Sequence, residues 1–556
     1  METRFWHSHY DYNVPASIRY PRIPVQDLLQ RAANLFPDKP ASNLYGTEMT
    51  FWELRRQVLK MASAMGAMGV KKGDRVAVHL PNCPQYMIAY YAAMTLGAIV
   101  VNLNPMYTAE ELKAIIRNTG VTTLFTFDLV LPNIRLLCAD AEIPRVVVTK
   151  VTDYIQGMKV STPASLELEK GWMHFSLLLE GGNHTPSLRV AILPDDPALI
   201  QFTGGTTGIP KGAVLTHANI IAATMQANQW GAHLNQLTPP EKRIVLSMLP
   251  FFHVYGDIVA MNWAVFSCAT QILVPRFDID ELMGILTRFE RISFFPAVPT
   301  MLNAILNHPK ADEMELGKKF GLLNSGGAPC PLALIEKARD MGIAFSEGWG
   351  MSETTSVGLA NPNFGLMKPG SVGIPVPDTD VRVVNPEDGV TDMPRGERGE
   401  LILKGPQVMQ GYWNNPDETD GQIKNGWLHT GDVAIQDEDG YIFIVDRTKD
   451  MIIASGYNVY PREVDEVVFQ HPKVSEAVTI GVPDAYRGET IKTFVALKPG
   501  QTATAEEIIE FCKDKLAPYK RPRSIEFKDN LPKSAVGKVL RKVLRAEEEA
   551  RLKKDV

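Results

Sequence analysis

Gln201-Phe202-Thr203-Gly204-Gly205-Thr206-Thr207-Gly208-Ile209-Pro210-Lys211-Gly212 is the stretch from which the rest of the chain is best read. It follows Ala198–Phe202, an apolar run that reads as a buried strand. Gly204, Gly205 and Gly208 allow a tight backbone whose N–H groups converge on an anion. The hydroxyls of Thr203, Thr206 and Thr207 add donors, and Lys211 adds a positive charge. A loop of this kind suits a nucleoside triphosphate. It is not a Walker A loop, because Pro210 precedes the lysine and Gly212 follows it where Ser or Thr is required.

Outward from the loop, extended and helical patterns alternate. Upstream, Thr50 and Glu53 form a Thr-x-x-Glu capping box, and Leu54, Val58, Met61 and Met65 recur at helical spacing. Arg75–Leu80 reads as a buried strand, a helix follows Pro81-Asn82 to about Leu96, and Ala98–Val101 is extended again. Downstream, 243–249 and 271–274 repeat the rhythm, which implies a parallel sheet covered by helices. Beyond about Gly370, short strands between Gly, Pro and Asp turns predict a β-rich piece. A small α/β unit follows Arg447, with a helix over 461–471. The mixed-charge stretch Lys533–Lys554 reads as a solvated helical face, Lys538 apart.

Lys+Arg is 57 and Asp+Glu 63 over 556 residues, a net charge of −6, which excludes the basic footprint of a general nucleic-acid binder. Hydrophobic residues make up 45% of the chain and charged ones 22%, which excludes a disordered protein. Cys83, Cys138, Cys268, Cys330 and Cys512 are scattered and odd in number, so a reducing, cytoplasmic setting is expected. The apolar stretch Met87–Val101 is too short and too interrupted to span a bilayer, and it predicts a buried helix running into a strand. The sequon Asn183-His184-Thr185 is read as accidental.

The loop resembles the signature of the AMP-forming acyl-CoA synthetases and related adenylating enzymes. Further motifs of that family stand in the expected order over nearly the whole chain. Leu249-Pro-Phe-Phe-His253-Val-Tyr-Gly256 is similar to its aromatic–histidine motif, and Asn324-Ser-Gly326-Gly327-Ala328-Pro329 to its adenine-side loop. Glu347-Gly348-Trp349-Gly-Met-Ser352-Glu353 resembles its magnesium and adenine motif. The stretch from Asn425 through Gly431-Asp432 to Asp446-Arg447-Thr448-Lys449-Asp450 resembles the signature of fatty acyl-CoA synthetases. Ser455-Gly456-Tyr457-Asn458-Val-Tyr-Pro461 and Pro532-Lys-Ser-Ala-Val-Gly537-Lys538 complete the set.

The resemblance implies an adenylate-forming α/β fold. A large N-terminal domain, residues 1–446, would combine α/β subdomains with a β-rich subdomain. A small mobile α+β domain, residues 447–556, would carry the catalytic lysine. It also implies a two-step reaction. A carboxylate attacks the α-phosphate of ATP to give acyl-AMP and pyrophosphate, and the thiol of CoA then takes the acyl group and releases AMP.

Under that resemblance Thr203 to Lys211 would hold the phosphates, with Thr207 among the catalytic residues. Gly204 stands where many members have Ser or Thr. Glu353 would bind Mg2+, and Ser352 replaces the usual Thr. Trp349, in the usual Tyr position, would stack on adenine, within a nucleotide site that includes Gly326, Gly327, Ala328, Glu347 and Gly348. Asp432 would hold the ribose, and Arg447 the ribose or phosphate. Lys538 would bridge substrate carboxylate and α-phosphate. His253 would orient the acyl carboxylate; the His253-x-x-x-Asp257 spacing is too common to indicate an acyltransferase. Lys449 would be the hinge, and Gly456 and Tyr457 would meet CoA. Some long-chain members place a gating Trp near the position of Asp257, and that role does not carry over.

The expected substrate is a medium- to long-chain fatty acid, with 254–269 apolar enough to line an acyl tunnel or to be an ordinary core helix. The alternatives are an aromatic or alicyclic carboxylate, or loading of a carrier protein in place of CoA. The resemblance leaves room for weak peripheral contact with the inner membrane face and for a homodimer. Mg2+, ATP and CoA are the implied cofactor and co-substrates.

Overall fold

The computed structural model describes residues 4–155, 166–183, 190–203, 210–454, 457–484, 488–535 and 537–554. Its largest sheet has eight strands. At its centre Pro197–Phe202, Ile99–Asn102, Arg75–Val78, Val121–Phe127 and Arg145–Thr149 run parallel, each buried among helices. Gly212–Thr216 doubles back antiparallel on Pro197–Phe202, so the phosphate loop joins two adjacent strands of this sheet. Gly411–Tyr412 adds to the same edge.

Local sequence explains the helices around it. The capping box forms as read: Thr50 accepts from the Glu53 amide at 3.1 Å, and Glu53 Oε2 accepts from the Thr50 amide at 2.8 Å. Leu54, Val58, Met61 and Met65 are buried on one face of Phe51–Ala67. The helix Pro84–Thr95 is enclosed on every side, which is why its sequence is apolar all round. It runs into Ile99–Asn102, as expected for the long apolar stretch. Arg75–Val78 ends two residues earlier than read, although the His79 amide still donates to the Phe125 carbonyl at 2.9 Å while its ring pairs with Thr126 and the Asn104 carbonyl.

A second sheet aligns Ile244–Ser247, Thr270–Leu273 and Pro40–Leu44 in parallel. A third aligns Phe295–Ala297, Leu323–Ser325 and Phe345–Trp349. The β-rich piece is an antiparallel sheet of Asp380–Val384, Arg398–Lys404 and Trp427–Gln436, with Ile423–Lys424 and Ile442–Arg447 on its edges. Asn425 and Gly426 turn that edge with φ of 51° and 78°, the conformation that makes Asn-Gly a hairpin signal. A small C-terminal domain holds the last sheet, built on Val474–Asp484 and Gly488–Leu497 and backed by Pro461–Phe469. No helix among the described residues is long and apolar enough to cross a membrane.

One reading needs correction. The helix Arg541–Lys554 is not a simple solvated face. Arg541 turns inward to Asp465 at 2.6 Å and Asp446 at 3.5 Å, and Arg545 pairs with Asp450 at 2.9 Å. Two buried carboxylates, Asp446 and Asp450, and the half-buried Asp465 near the start of the small domain need cationic partners. Tertiary placement supplies them from a stretch that looks solvated in sequence.

Candidate active site

A large cleft of about 1470 Å³ opens between the large and small domains. Its walls come from the ends of strands and the loops after them, where α/β sheets usually bind ligands. Thr203, Lys211, His253, Glu353, Asp432 and Lys538 all reach it.

At the nucleotide end, Asp432 is buried and both of its oxygens are engaged. Trp349 donates its indole N–H to Oδ2 at 2.8 Å, and Arg447 Nε meets Oδ1 at 3.0 Å. The neighbouring Asp432 charge holds the Arg447 guanidinium above its usual range. Gly326, Gly327, Ala328, Glu347, Gly348 and Ser352 line the same part of the cleft. Burial pushes Glu347 up to about 7, and one of its oxygens accepts from the Cys330 amide.

Glu353 is buried, and burial raises its pKa against the opposing pull of Tyr412, Arg447 and Lys211. Tyr412 donates its hydroxyl to Oε1 at 2.6 Å. The Lys211 ammonium sits over the Tyr412 ring, 5.3 Å from its centre, and pairs with Glu418. Tyr412 thus ties the metal-ligand candidate to the phosphate-loop lysine. Sequence reading missed it; the signal was the Gly411-Tyr412 pair, whose strand lies against Gly212–Thr216.

Among the described residues no cluster of three or more His, Cys, Asp or Glu forms a ready-made metal cage. Mg2+ commonly takes one or two carboxylates and completes its shell with phosphate oxygens and water. Glu353 fits such a site as a single hard ligand facing the cleft.

Lys538 follows Gly537, which adopts φ +77°. A Cβ on Gly537 would stand 2.5 Å from Thr300 Oγ1, so only glycine lets this loop of the small domain lie against the large one. Lys538 remains open to the cleft volume, but protein walls surround that volume. Desolvation draws its pKa down to about 8, with repulsion from Arg447 adding to the fall.

His253 is drawn down to about 4 by burial, and the Lys538 charge contributes. It is therefore neutral at pH 7. Its Nδ1 accepts from the Tyr255 amide at 3.2 Å, so the proton resides on Nε2, which becomes a donor.

Asp257 does not enter the cleft. It joins a buried network, accepting from Tyr90 at 2.9 Å, Asn102 at 2.9 Å and Asn262 at 2.6 Å. Asn102 passes the network on to Gln201, whose amide donates to the Phe252 carbonyl beside His253. The network braces the base of the phosphate loop against the histidine motif. Asn102 lies in no recognisable motif, and Gln201 stands at the head of the phosphate-loop stretch without a role assigned to it from sequence.

Gly204, Gly205, Thr206, Thr207 and Gly208 lie outside the described residues, as does Gly456. Lys449 reaches the cleft, with its pKa lowered by desolvation and by Arg447. Tyr457 does not; it is exposed and stacks on Tyr519 with ring centres 4.6 Å apart. The other end of the cleft is apolar, walled by Trp230, Leu234, Val259, Trp263, Phe294 and Leu322. The segment 254–269 therefore belongs to the core and also borders the cleft. Its π-helical turn Gly256–Asn262 and the following Trp263–Phe266 pack into the core, and Val259 and Trp263 also face the cleft.

The AMP-binding enzyme family matches residues 29–413, and the AMP-binding enzyme C-terminal domain matches residues 463–538. The long-chain-fatty-acid–CoA ligase of Bacillus subtilis (strain 168) is 40% identical over 557 residues, 98% of either chain. That of Escherichia coli O6:H1 is 35% identical over 568 residues, 99% of either chain. Among solved structures, an anthranilate CoA ligase in complex with anthranoyl-AMP superposes with a TM-score of 0.86 at 26% identity, covering 97% of this chain and 99% of its own.

Proposed function

Because the chain belongs to the AMP-binding enzyme family, we propose that it activates a medium- to long-chain fatty acid as acyl-AMP and transfers the acyl group to CoA. Pyrophosphate leaves in the first step and AMP in the second. The observation that carries this reading is the position of Lys538, a partly desolvated cation inside a cleft with a nucleotide-suited end and a deep apolar end.

Asp432 accepts the ribose hydroxyls, oriented by Trp349 and Arg447. Lys211 and the loop before it hold the terminal phosphates. Lys538 sits between the substrate carboxylate and the α-phosphate, two anions that repel until a cation joins them. Preorganised charge of this kind is the main source of rate in such a transfer. His253 Nε2–H donates to the same oxygens and fixes the carboxylate for attack. Magnesium held by Glu353 supplies charge neutralisation to the phosphates when bound.

We place the domain boundary at 446/447 and the hinge at Lys449. In this arrangement Tyr457 lies outside the cleft, which fits a CoA-contacting role only after the small domain turns about that hinge.

The test is to incubate the protein with ATP, Mg2+, CoA and carboxylic acids of graded chain length, with benzoate and cyclohexanecarboxylate in parallel. Mass spectrometry identifies the products. Acyl-CoA and AMP from the aliphatic acids are expected. A maximum on benzoate would replace the fatty-acid reading with the aromatic one, and acyl-AMP accumulating with CoA present would point to a carrier protein as acceptor.

A further inference from the structure

Among the described residues, six glycines line the cleft. Five have a local reason to be glycine. Gly327 and Gly537 have φ of +76° and +77°. A Cβ on Gly350 would stand 1.9 Å from the Ser356 carbonyl oxygen, on Gly348 3.1 Å from that of Leu359, and on Gly326 3.2 Å from the Tyr255 ring.

Gly231 has no such reason. It joins the helices His217–Trp230 and Ala232–Leu237 with φ −84° and ψ 14°, open to any L-residue. A Cβ there would meet the Ala227 carbonyl oxygen at 3.5 Å and Trp263 Cζ2 at 4.0 Å, both ordinary contacts. Yet Gly231 is buried. A longer side chain has no route to solvent, so it must occupy the cleft itself, in front of Trp263. There the Trp263 and Phe294 rings pack 4.8 Å apart at the apolar end.

We propose that Gly231 is a specificity-determining residue: its missing side chain keeps the acyl end of the cleft open, and so sets the length of fatty acid accepted. The inference rests on the fatty-acid reading above. A bulky residue at 231 fills the volume that the far methylenes of a long chain occupy and leaves the carboxylate end untouched.

The experiment measures kcat/KM for saturated acids from hexanoate to palmitate in wild type, G231A, G231L and G231F. Wild type and G231A are expected to share one profile. G231L and G231F are expected to lose palmitate activity stepwise, by about hundredfold in G231F, and to hold hexanoate within about threefold. Retained hexanoate activity shows that the variants fold. An unchanged chain-length profile in G231F overturns the inference and leaves the fatty-acid reading intact. Equal loss on every acid in both bulky variants also overturns it, because the glycine then serves packing. A wild type inactive on all the fatty acids sinks the reading of the substrate instead.

Discussion

The role proposed for Lys538 asks it to act as a cation in surroundings that disfavour charge. With a pKa near 8 it is charged below that pH and neutral above it. If its charge draws the two anions together, kcat/KM for ATP in the adenylation step falls about tenfold per pH unit above about 8. Bound anions favour the charged form, so kcat holds to a higher pH than kcat/KM. Pyrophosphate exchange followed from pH 6 to 10 gives both profiles, and a flat kcat/KM to pH 10 would remove Lys538 from the role. Lys538→Ala is expected to cut acyl-AMP formation by about 10²–10³-fold. Thioester formation from supplied acyl-AMP should be largely spared, because the second step has no α-phosphate to neutralise. Equal loss in the two half-reactions would contradict the assignment.

At the scale of the element, the loop carrying Lys538 reaches the large domain only because Gly537 has no side chain. Gly537→Ala meets Thr300 Oγ1 and forces an L-residue to φ +77°, a conformation that costs about 1–2 kcal/mol. Adenylation should drop tenfold or more, with little change in melting temperature, since the loop is not part of either core. Adding Thr300→Ala removes the nearer contact and should restore part of the rate. No recovery in the double variant would mean that the backbone conformation alone sets the effect. Elsewhere, the strand Gly411–Tyr412 is only two residues long. It nevertheless places the tyrosine that holds Glu353 and underlies Lys211.

For the whole molecule, the two-step reaction proposed above asks for two orientations of the small domain. Lys538 is in the cleft while Tyr457 is outside it. Lys449 lies in the short turn Thr448–Asp450 that joins the β-rich sheet to the small domain. Proline there restricts φ to about −65° and should hold one arrangement. Lys449→Pro is therefore expected to retain adenylation and lose thioester formation by at least about tenfold, read from the two half-reactions run separately. Retention of both would move the hinge elsewhere. Arg541 and Arg545, gripping Asp446, Asp465 and Asp450, hold the C-terminal helix beside that turn, so the lysine loop and the hinge are joined structurally.

The sequence by itself determined the family and the order of strands and helices, and it named residues that the structure brings to one cleft. Those features are local. A glycine-rich turn, a capping box or an Asn-Gly hairpin is fixed by the dihedral and hydrogen-bonding preferences of a few neighbouring residues. Tertiary structure alone decided what depends on segments far apart in the chain. It turned Asp257 away from the cleft to Tyr90 and Asn102, brought Tyr412 onto Glu353, and drew Arg541 inward to buried carboxylates. It also gave Gly231 its meaning, since a glycine between two helices reads as a break until Trp263, thirty-two residues later in the chain, is seen facing it. The bore of the cleft is the space left when distant elements pack, and no local pattern encodes a space.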